Sequence, residues 1–355
     1  MNRGSPLLIK SCLVFCLLWL PHLSRAGEPR AWEEHLKTSL AADFVTEEDH
    51  LWLRSAELML YGAVDHRFDG RLTLAAHEYQ GQYMFEVHEA FLSSSRWLPR
   101  SQVKVGHFFL NIGRLNQFHQ HDWPFLSTPR VHREFLDFEA VADTGVEISY
   151  LLPGSQFVEL TLGVTRGYNW GHTHTKGLRP QMPIHYLHPN FFVDLGRGQG
   201  LLLGTTYVGH VENSGLRRSL VGLDATYKWR QGRVLKYHLQ SELWYERINP
   251  QVTETRERVG AYFFPEYGLD EQWSAGLRLD LFSDLSRRFV TTGERQENLD
   301  VTFIPTLTFR HSEFALFRLA YAYDLRTAQG ESDRRHQELQ LQLTFILGDH
   351  PAHEF

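Results

Sequence analysis

Residues 217–233 read RRSLVGLDATYKWRQGR. In an extended chain successive side chains point to opposite faces. Val221, Leu223, Ala225, Tyr227 and Trp229 therefore share one face, and Gly222, Asp224, Thr226, Lys228 and Arg230 share the other. One face is apolar and the other polar or charged. The alternation holds over roughly ten residues, the length that crosses a bilayer when a strand is tilted by about 45°. Strands of soluble sheets are usually nearer five or six residues.

The same pattern continues to the C-terminus. Leu235, Tyr237, Leu239, Leu243 and Tyr245 oppose Lys236, His238, Gln240, Glu242 and Glu246. Leu277, Leu279 and Leu281 oppose Arg278 and Asp280; Ala315, Phe317, Leu319, Tyr321 and Tyr323 oppose Arg318, Asp324 and Arg326. The run from Leu339 to Leu347 repeats it against Glu338, Gln340, Gln342 and Thr344. Charges at mid-depth against lipid cost several kcal/mol, whereas a wet lumen accepts them. Asp224, Lys228, Lys236, His238, Glu242, Arg278, Asp280, Arg318 and Asp324 are thus expected to face a lumen. Their mixed sign argues against a strongly anion-selective pore.

Connections also alternate. Short turns near 152–156, 196–199, 230–233, 265–270 and 310–313 interleave with longer polar stretches at 113–142, 168–190, 211–217, 248–256, 283–298 and 326–334. Short on one side and long on the other is the habit of outer-membrane barrels. Clear strands begin near 55 and continue to 347; parity requires one more within 35–50, although LKTSLAADFV alternates poorly. The expected fold is an all-β, transmembrane, antiparallel up-and-down barrel of about sixteen strands, with fourteen as the alternative. Aromatics make up 13% of the chain, and clusters such as ELWYER and VGAYFFPEY are expected to form interfacial girdles.

Composition agrees. The 355 residues are 42% hydrophobic, and the mean hydropathy of −0.35 hides a lipid face that alternates with a polar one. Arg3 and Lys10 precede the apolar run SCLVFCLLWL, and Ser24 and Ala26 stand at −3 and −1 of a cleavage site, so residues 1–26 read as a secretory signal peptide. Its removal takes both cysteines and three of the 36 basic side chains. The remaining 33 face 42 acidic ones, a formal net charge of −9. No nucleic-acid partner is expected from that balance. The domain reading is an N-terminal segment at 27–54, which includes the position of the extra strand, a barrel at 55–347 and a His-containing tail at 348–355. The implied location is the bacterial outer membrane, with its lipid as one partner.

The longest connection holds GRLNQFHQHDWPFLSTPRVHREF, residues 113–135. Arg114, Arg130 and Arg133 lie near Asp122, Glu134 and Asp137, opposed charges that set a transverse field in a constriction or pair to hold the segment down. Trp123, Pro124 and Phe125 suit an anchor against the wall. His119-Gln-His121 and, in the next long loop, His172-Thr-His174 are H-x-H pairs whose imidazoles share a side when extended and suit Zn²⁺. His132, His185 and His188 lie in the same two loops. Polar loops also carry such pairs by chance.

The run QVKVGHFFLNIGRLNQFHQHDWPFLSTPRVHREF, followed by DTGVEISYLLPG and the closing GDHPAHEF, resembles the porin-like group labelled zinc-regulated TonB-dependent outer-membrane receptors. More broadly the chain is similar to general and phosphate-selective-type porins. The resemblance implies a long loop after the fifth strand that folds inward and narrows the barrel. The group's label also implies energised uptake, but a 22-stranded transporter carries a plug domain for which this sequence has no room, so TonB coupling is not expected.

The sequence carries no HExxH and no GxSxG; His77-Glu78 and His88-Glu89 lack the second histidine. Ser241 near His238 does not stand out as a nucleophile–base pair. The expectation is a passive channel for small hydrophilic solutes or ions, not an enzyme, with no required cofactor and a zinc ion as the one candidate. A lipid or peptide hydrolase and a non-transporting adhesive barrel are the alternatives. Monomer and homo-oligomer both stay open.

Overall fold

The computed structural model describes residues 36–47, 50–79, 81–171, 177–249, 255–286, 293, 298–328 and 334–349. The signal-peptide reading at 1–26, His172, His174 and the tail from 350 lie outside them. Sixteen antiparallel strands close into a barrel in which each pairs with its sequence neighbours and the first with the last. They are β1 (Leu36–Glu47), β2 (His50–Ala63), β3 (Asp69–Tyr79), β4 (Gln82–Ser94) and β5 (Ser101–Phe109). After a long interval come β6 (Ala142–Leu151), β7 (Phe157–Thr165), β8 (Met182–Gly196), β9 (Gln199–Val211) and β10 (Arg217–Gln231). The rest are β11 (Val234–Asn249), β12 (Arg256–Gly268), β13 (Trp273–Asp284), β14 (Asn298–Ser312), β15 (Ala315–Ala328) and β16 (Arg334–Gly348).

The outer face is apolar. Val221, Leu223, Leu243, Phe263, Leu277, Leu319 and Leu341 are all exposed on it. Each such side chain would gain about 1.5–3 kcal/mol from leaving water, so a surface this uniform belongs in lipid.

The strand required within 35–50 is β1, so the barrel begins at Leu36; its weak alternation and the clear pattern only from near 55 reflect a change of phase. Asp43 pairs with Ser55 and Phe44 with Leu53, leaving Arg54 as the extra residue of a β-bulge. Arg54 and Ser55 are therefore both buried, and strict alternation starts only after them. In β1 itself, Ala41 and Val45 are buried beside Asp43 while Leu40 faces out, so apolar residues occupy both faces. A second bulge sits in β4: Thr73 pairs with Glu89 and Leu74 with Val87, so His88 is extra and both His88 and Glu89 turn inward.

β8 starts at Met182, eight residues ahead of the expected 190, which moves His185 and His188 from loop to strand. Its inward side chains include Ile184 and Tyr186, reversing the usual polar-in pattern. They belong to an apolar core inside the barrel. Leu110, Ile112, Leu115, Trp123, Phe125, Val131, Phe135 and Leu136, from the β5–β6 connection, pack there against Ile184, Tyr186, Trp244, Tyr262, Phe264 and Phe282 of the wall. The aromatic girdle reading is accordingly divided. Tyr245, Phe263 and Tyr267 are exposed on the outside, whereas Trp244, Tyr262 and Phe264 are buried inside.

Candidate functional site

The β5–β6 connection, residues 110–141, folds into the lumen. It contains two 3-10 turns, Leu115–Gln117 and Gln120–Asp122, and a short helix, α1 (Arg130–Phe135). Its backbone needs external partners, because turns this short leave most N–H and C=O groups unpaired. The inward side chains of the barrel supply them.

On the β11–β13 side, Glu242 accepts hydrogen bonds from the backbone N–H groups of Arg114 (3.2 Å) and Leu115 (2.7 Å), from Trp244 Nε1 (2.7 Å) and from the Tyr262 hydroxyl (3.1 Å). Gly113 makes this approach possible. Its φ is 60°, and a Cβ there would lie 2.6 Å from Glu242 Oε2. Arg278 donates to the Ser127 carbonyl and to Ser127 Oγ (3.0 Å), pairs with Asp280 (3.0 Å) and lies 4.5 Å over the Phe125 ring. Asp280 accepts from the Arg130 N–H (3.1 Å), and Arg258 bonds the Glu134 carbonyl (3.0 Å) and Glu246.

On the opposite side, seven strands around the ring by way of β16 and β1, the wall is β2–β4. Arg54 pairs with Asp43 and donates to the Leu126 carbonyl. His119 lies between Glu57 (2.6 Å from Nδ1) and Glu89 (3.1 Å from Nε2), and His121 lies 3.4 Å from Glu57 and 3.4 Å from Asp122. Burial alone would lower the His119 imidazole, but Glu57 and Glu89 hold its pKa well above the ordinary value. His121 is raised as well: burial opposes its charge, but Asp122 and Glu57 prevail.

These imidazoles continue a row into the wall. Ring centroids lie 5.6 Å apart for His119–His121, 5.7 Å for His88–His119 and 5.0 Å for His77–His88, all stacked. At its far end His77 Nε2, His88 Nε2 and Glu86 Oε1 stand 2.9, 2.9 and 3.1 Å apart, and Glu139 Oε1 is 3.7 Å from His88 Nε2. His77, Glu86, His88, Glu139 and Glu57 were outside the set singled out from sequence. The i, i+2 spacing of Glu86 and His88 was a signal, but the His88 bulge and the distant Glu139 hid it.

Of the expected metal set, His119 and His121 meet the β2–β4 wall, and His172 and His174 lie outside the described residues. His188 bonds Asn111 (2.8 Å) and Asp224 (3.3 Å), and His185 lies 6.1 Å from the outward ring of Tyr207. His132 stands apart: it is fully buried, 5.4 Å from the Trp123 ring, and neither ring nitrogen has a hydrogen-bond partner. Burial pushes its pKa down to about 3, which keeps it neutral.

The charges expected at a constriction take two roles, and Arg130 takes both. Arg130 pairs with Glu134 (3.0 Å) and Asp300 (3.2 Å), Glu134 with Arg258 (3.3 Å), and the Asp137 carboxylate accepts from the N–H of Phe138 (2.6 Å) at a φ of 104°. Arg114, Asp122, Arg130 and Arg133 line cavities. One, of about 630 Å³, is bounded by Arg114, Asp122, Lys228, Arg310 and Arg318 and reaches the β14–β15 turn. A second, of about 430 Å³, reaches Asp69 and Ser93 at the same end and includes His119, Asp122 and Lys104. A third, of about 260 Å³, holds Arg133, Arg278, Asp324 and Arg326 and reaches Trp52 at the other end. Residues of the 110–141 segment line all three.

The remaining inward charges are partnered. His238 is 3.3 Å from Glu266, Arg318 donates to Gln342 (2.8 Å), and Asp324 accepts from Thr302. Lys236 sits at the rim, 3.3 Å from the Gly268 carbonyl.

No family model matches the chain. A protein of Aquifex aeolicus (strain VF5), described only as uncharacterized, is 28% identical over 334 residues, 85% of this chain and 70% of that one. Among solved structures, the outer membrane channel DcaP of Acinetobacter baumannii superposes with a TM-score of 0.60 at 10% identity, over 88% of this chain and 96% of that one. The chain has the fold of outer-membrane porins and channels. An anion-selective porin from Comamonas acidovorans gives 0.52 at 10% identity over 88% and 97% of the two chains. OmpT, an outer membrane protein of Vibrio cholerae, gives 0.56 at 7% identity over 88% and 96%. At these identities the likeness concerns the barrel alone.

Proposed function

We propose that this chain is an outer-membrane channel through which small hydrophilic solutes or ions pass passively, with the segment 110–141 as its constriction. The observation that supports this reading is a single segment moored to opposite walls, with charged cavities on either side of it. Arg114, Asp122, Arg130 and Arg133 border the cavities and act as the filter; Arg130, paired with Glu134 and Asp300, also holds the segment in place together with Glu134 and Asp137. Opposed charges at a narrow point select by charge and size, and a lumen of mixed sign selects weakly. Where His119, His121 and the carboxylates of Glu57, Glu89 and Asp122 meet this path, a divalent ion such as Zn²⁺ replaces the protons those carboxylates hold on the imidazoles and is favoured over alkali ions.

The test is planar-bilayer recording of the refolded protein. Small discrete conductance steps are expected, and they grow when Glu242 or Arg278 is replaced by alanine. A wild type without discrete steps ends the channel reading. Zn²⁺-insensitive currents unchanged by His119→Ala with His121→Ala end its divalent bias.

A further inference from the structure

We propose that His77, Glu86, His88 and Glu139 form a binding site for one divalent transition-metal ion of the zinc type, which joins the inward segment to the β3–β4 wall. The donor atoms already converge. Those of His77, Glu86 and His88 stand 2.9–3.1 Å from one another, and all four residues offer ligand atoms within 4.8 Å. Atoms bound at about 2.0–2.1 Å to zinc lie roughly 2.9 Å apart at right angles and about 3.3 Å apart in a tetrahedron. The three separations fit around one ion, and Glu139 needs only a short approach from 3.7 Å.

The surroundings prepare the ligands. His77 Nδ1 lies 2.7 Å from the Arg54 carbonyl, which only accepts, so Nδ1 carries the hydrogen and the neutral ring presents its lone pair at Nε2. A hydrogen bond from the second ring nitrogen to a carbonyl is how proteins orient an imidazole toward a metal. Behind His88, Glu57 stands 4.0 Å from Nδ1. Two imidazole Nε2 atoms 2.9 Å apart cannot both present lone pairs without a proton or a cation between them. The proton serves when metal is absent, and metal binding releases it. Two nitrogens and two carboxylates, with no sulfur, suit zinc and its first-row neighbours better than calcium or magnesium, which prefer all-oxygen shells.

The β-bulge at His88 explains why the site exists here. By adding one residue to β4 it lets Glu86, His88 and Glu89 all face the lumen, so His88 serves this site while Glu89 holds His119. Glu139 arrives from the inward segment, so the ion bridges segment and wall. The proposal does not require that the barrel conduct.

The experiment is metal binding by the refolded full chain in detergent, stripped with EDTA and titrated with Zn²⁺ against a chromophoric chelator, with Mg²⁺ as the comparison. One zinc equivalent is expected, with zinc X-ray absorption showing two imidazole ligands. His77→Ala and Glu139→Gln are each expected to weaken binding by about 100-fold, with ligand removal costing at least as much as the loss of an outer partner. Heat-modifiable mobility on gels confirms that each variant is folded. His238→Ala, in the His–Glu pair of the opposite wall, leaves binding unchanged. Should folded wild type bind zinc no better than magnesium, the proposal fails. It fails equally if the zinc equivalent survives both substitutions or is lost only with His121→Ala, since the ion then sits elsewhere. Channel activity without zinc binding would overturn this site and leave the channel reading standing; zinc binding without current would do the reverse.

Discussion

The inward segment is held by two moorings of opposite chemistry. Toward β11–β13 it presents Trp123, Phe125, Val131 and Phe135 to Trp244, Tyr262, Phe264 and Phe282. Toward β2–β4 it presents His119, His121 and Glu139 to Glu57, His77, Glu86, His88 and Glu89. The first is a small hydrophobic core, and its strength scales with apolar area removed from water. The second consists of titratable groups in a low-dielectric setting, where each charge is costly unless matched by a proton, a counter-charge or a cation. One edge of the segment is thus fixed by packing together with the Glu242 and Arg278 hydrogen bonds, and the other is held by histidine–carboxylate contacts and the Arg54 bond to Leu126.

Four changes probe that contrast. The largest effect is expected at the packed mooring: Phe125→Ala removes a fully buried ring set against Tyr262 and Phe264 and costs about 3–5 kcal/mol. Thermal unfolding should show the loss, and single-channel conductance should rise as the segment loosens. An unchanged melting temperature would mean that the core inside the barrel does not hold the segment.

Glu242→Ala strands the donors of Leu115, Arg114 and Trp244 in a buried place. A cost of about 2–3 kcal/mol is expected, and Glu242→Gln should recover part of it because the amide oxygen still accepts. If the glutamine variant is as poor as alanine, geometry rather than hydrogen bonding holds that corner.

Proton dependence enters the packed side through His132. Its folded pKa of about 3 lies below the ordinary 6.5, so the unfolded chain takes up the proton first. Stability is full above about 6.5 and falls as pH drops toward 3, by roughly 2 kcal/mol at pH 5. Melting curves across that range should flatten in His132→Phe. A wild-type curve that does not fall below pH 6 would show that His132 is not kept neutral by its surroundings.

The smallest change concerns Arg133, exposed beside the 260 Å³ cavity. Arg133→Glu is expected to move the reversal potential toward cations without altering the melting temperature. A shift in melting with no shift in selectivity would reassign Arg133 from filter to mooring.

Much of the barrel could be read in residues 217–347, where Leu223 and Asp224 or Leu279 and Asp280 keep a strict two-residue period. The pattern failed where something interrupts the period or covers the lumen face. At Arg54 a bulge shifts the phase and hides the start of the barrel. In β8, Ile184 and Tyr186 are apolar yet inward because they pack on the segment 110–141. The H-x-H pair at His119 and His121 was visible, but its partners were not. Glu57 and Glu89 are ordinary strand glutamates until the barrel closes.

Lipid on one side and polar groups on the other impose alternation residue by residue, so the strands, their approximate number and the long β5–β6 connection are local properties of the chain. Which inward groups face each other is not local. Closure of β1 on β16, the registers set by bulges at Arg54 and His88, and the path of residues 110–141 across the lumen bring His77, His88 and Glu139 together and place Glu242 under Leu115. Those contacts join residues far apart in sequence, and only the folded barrel brings them within bonding distance.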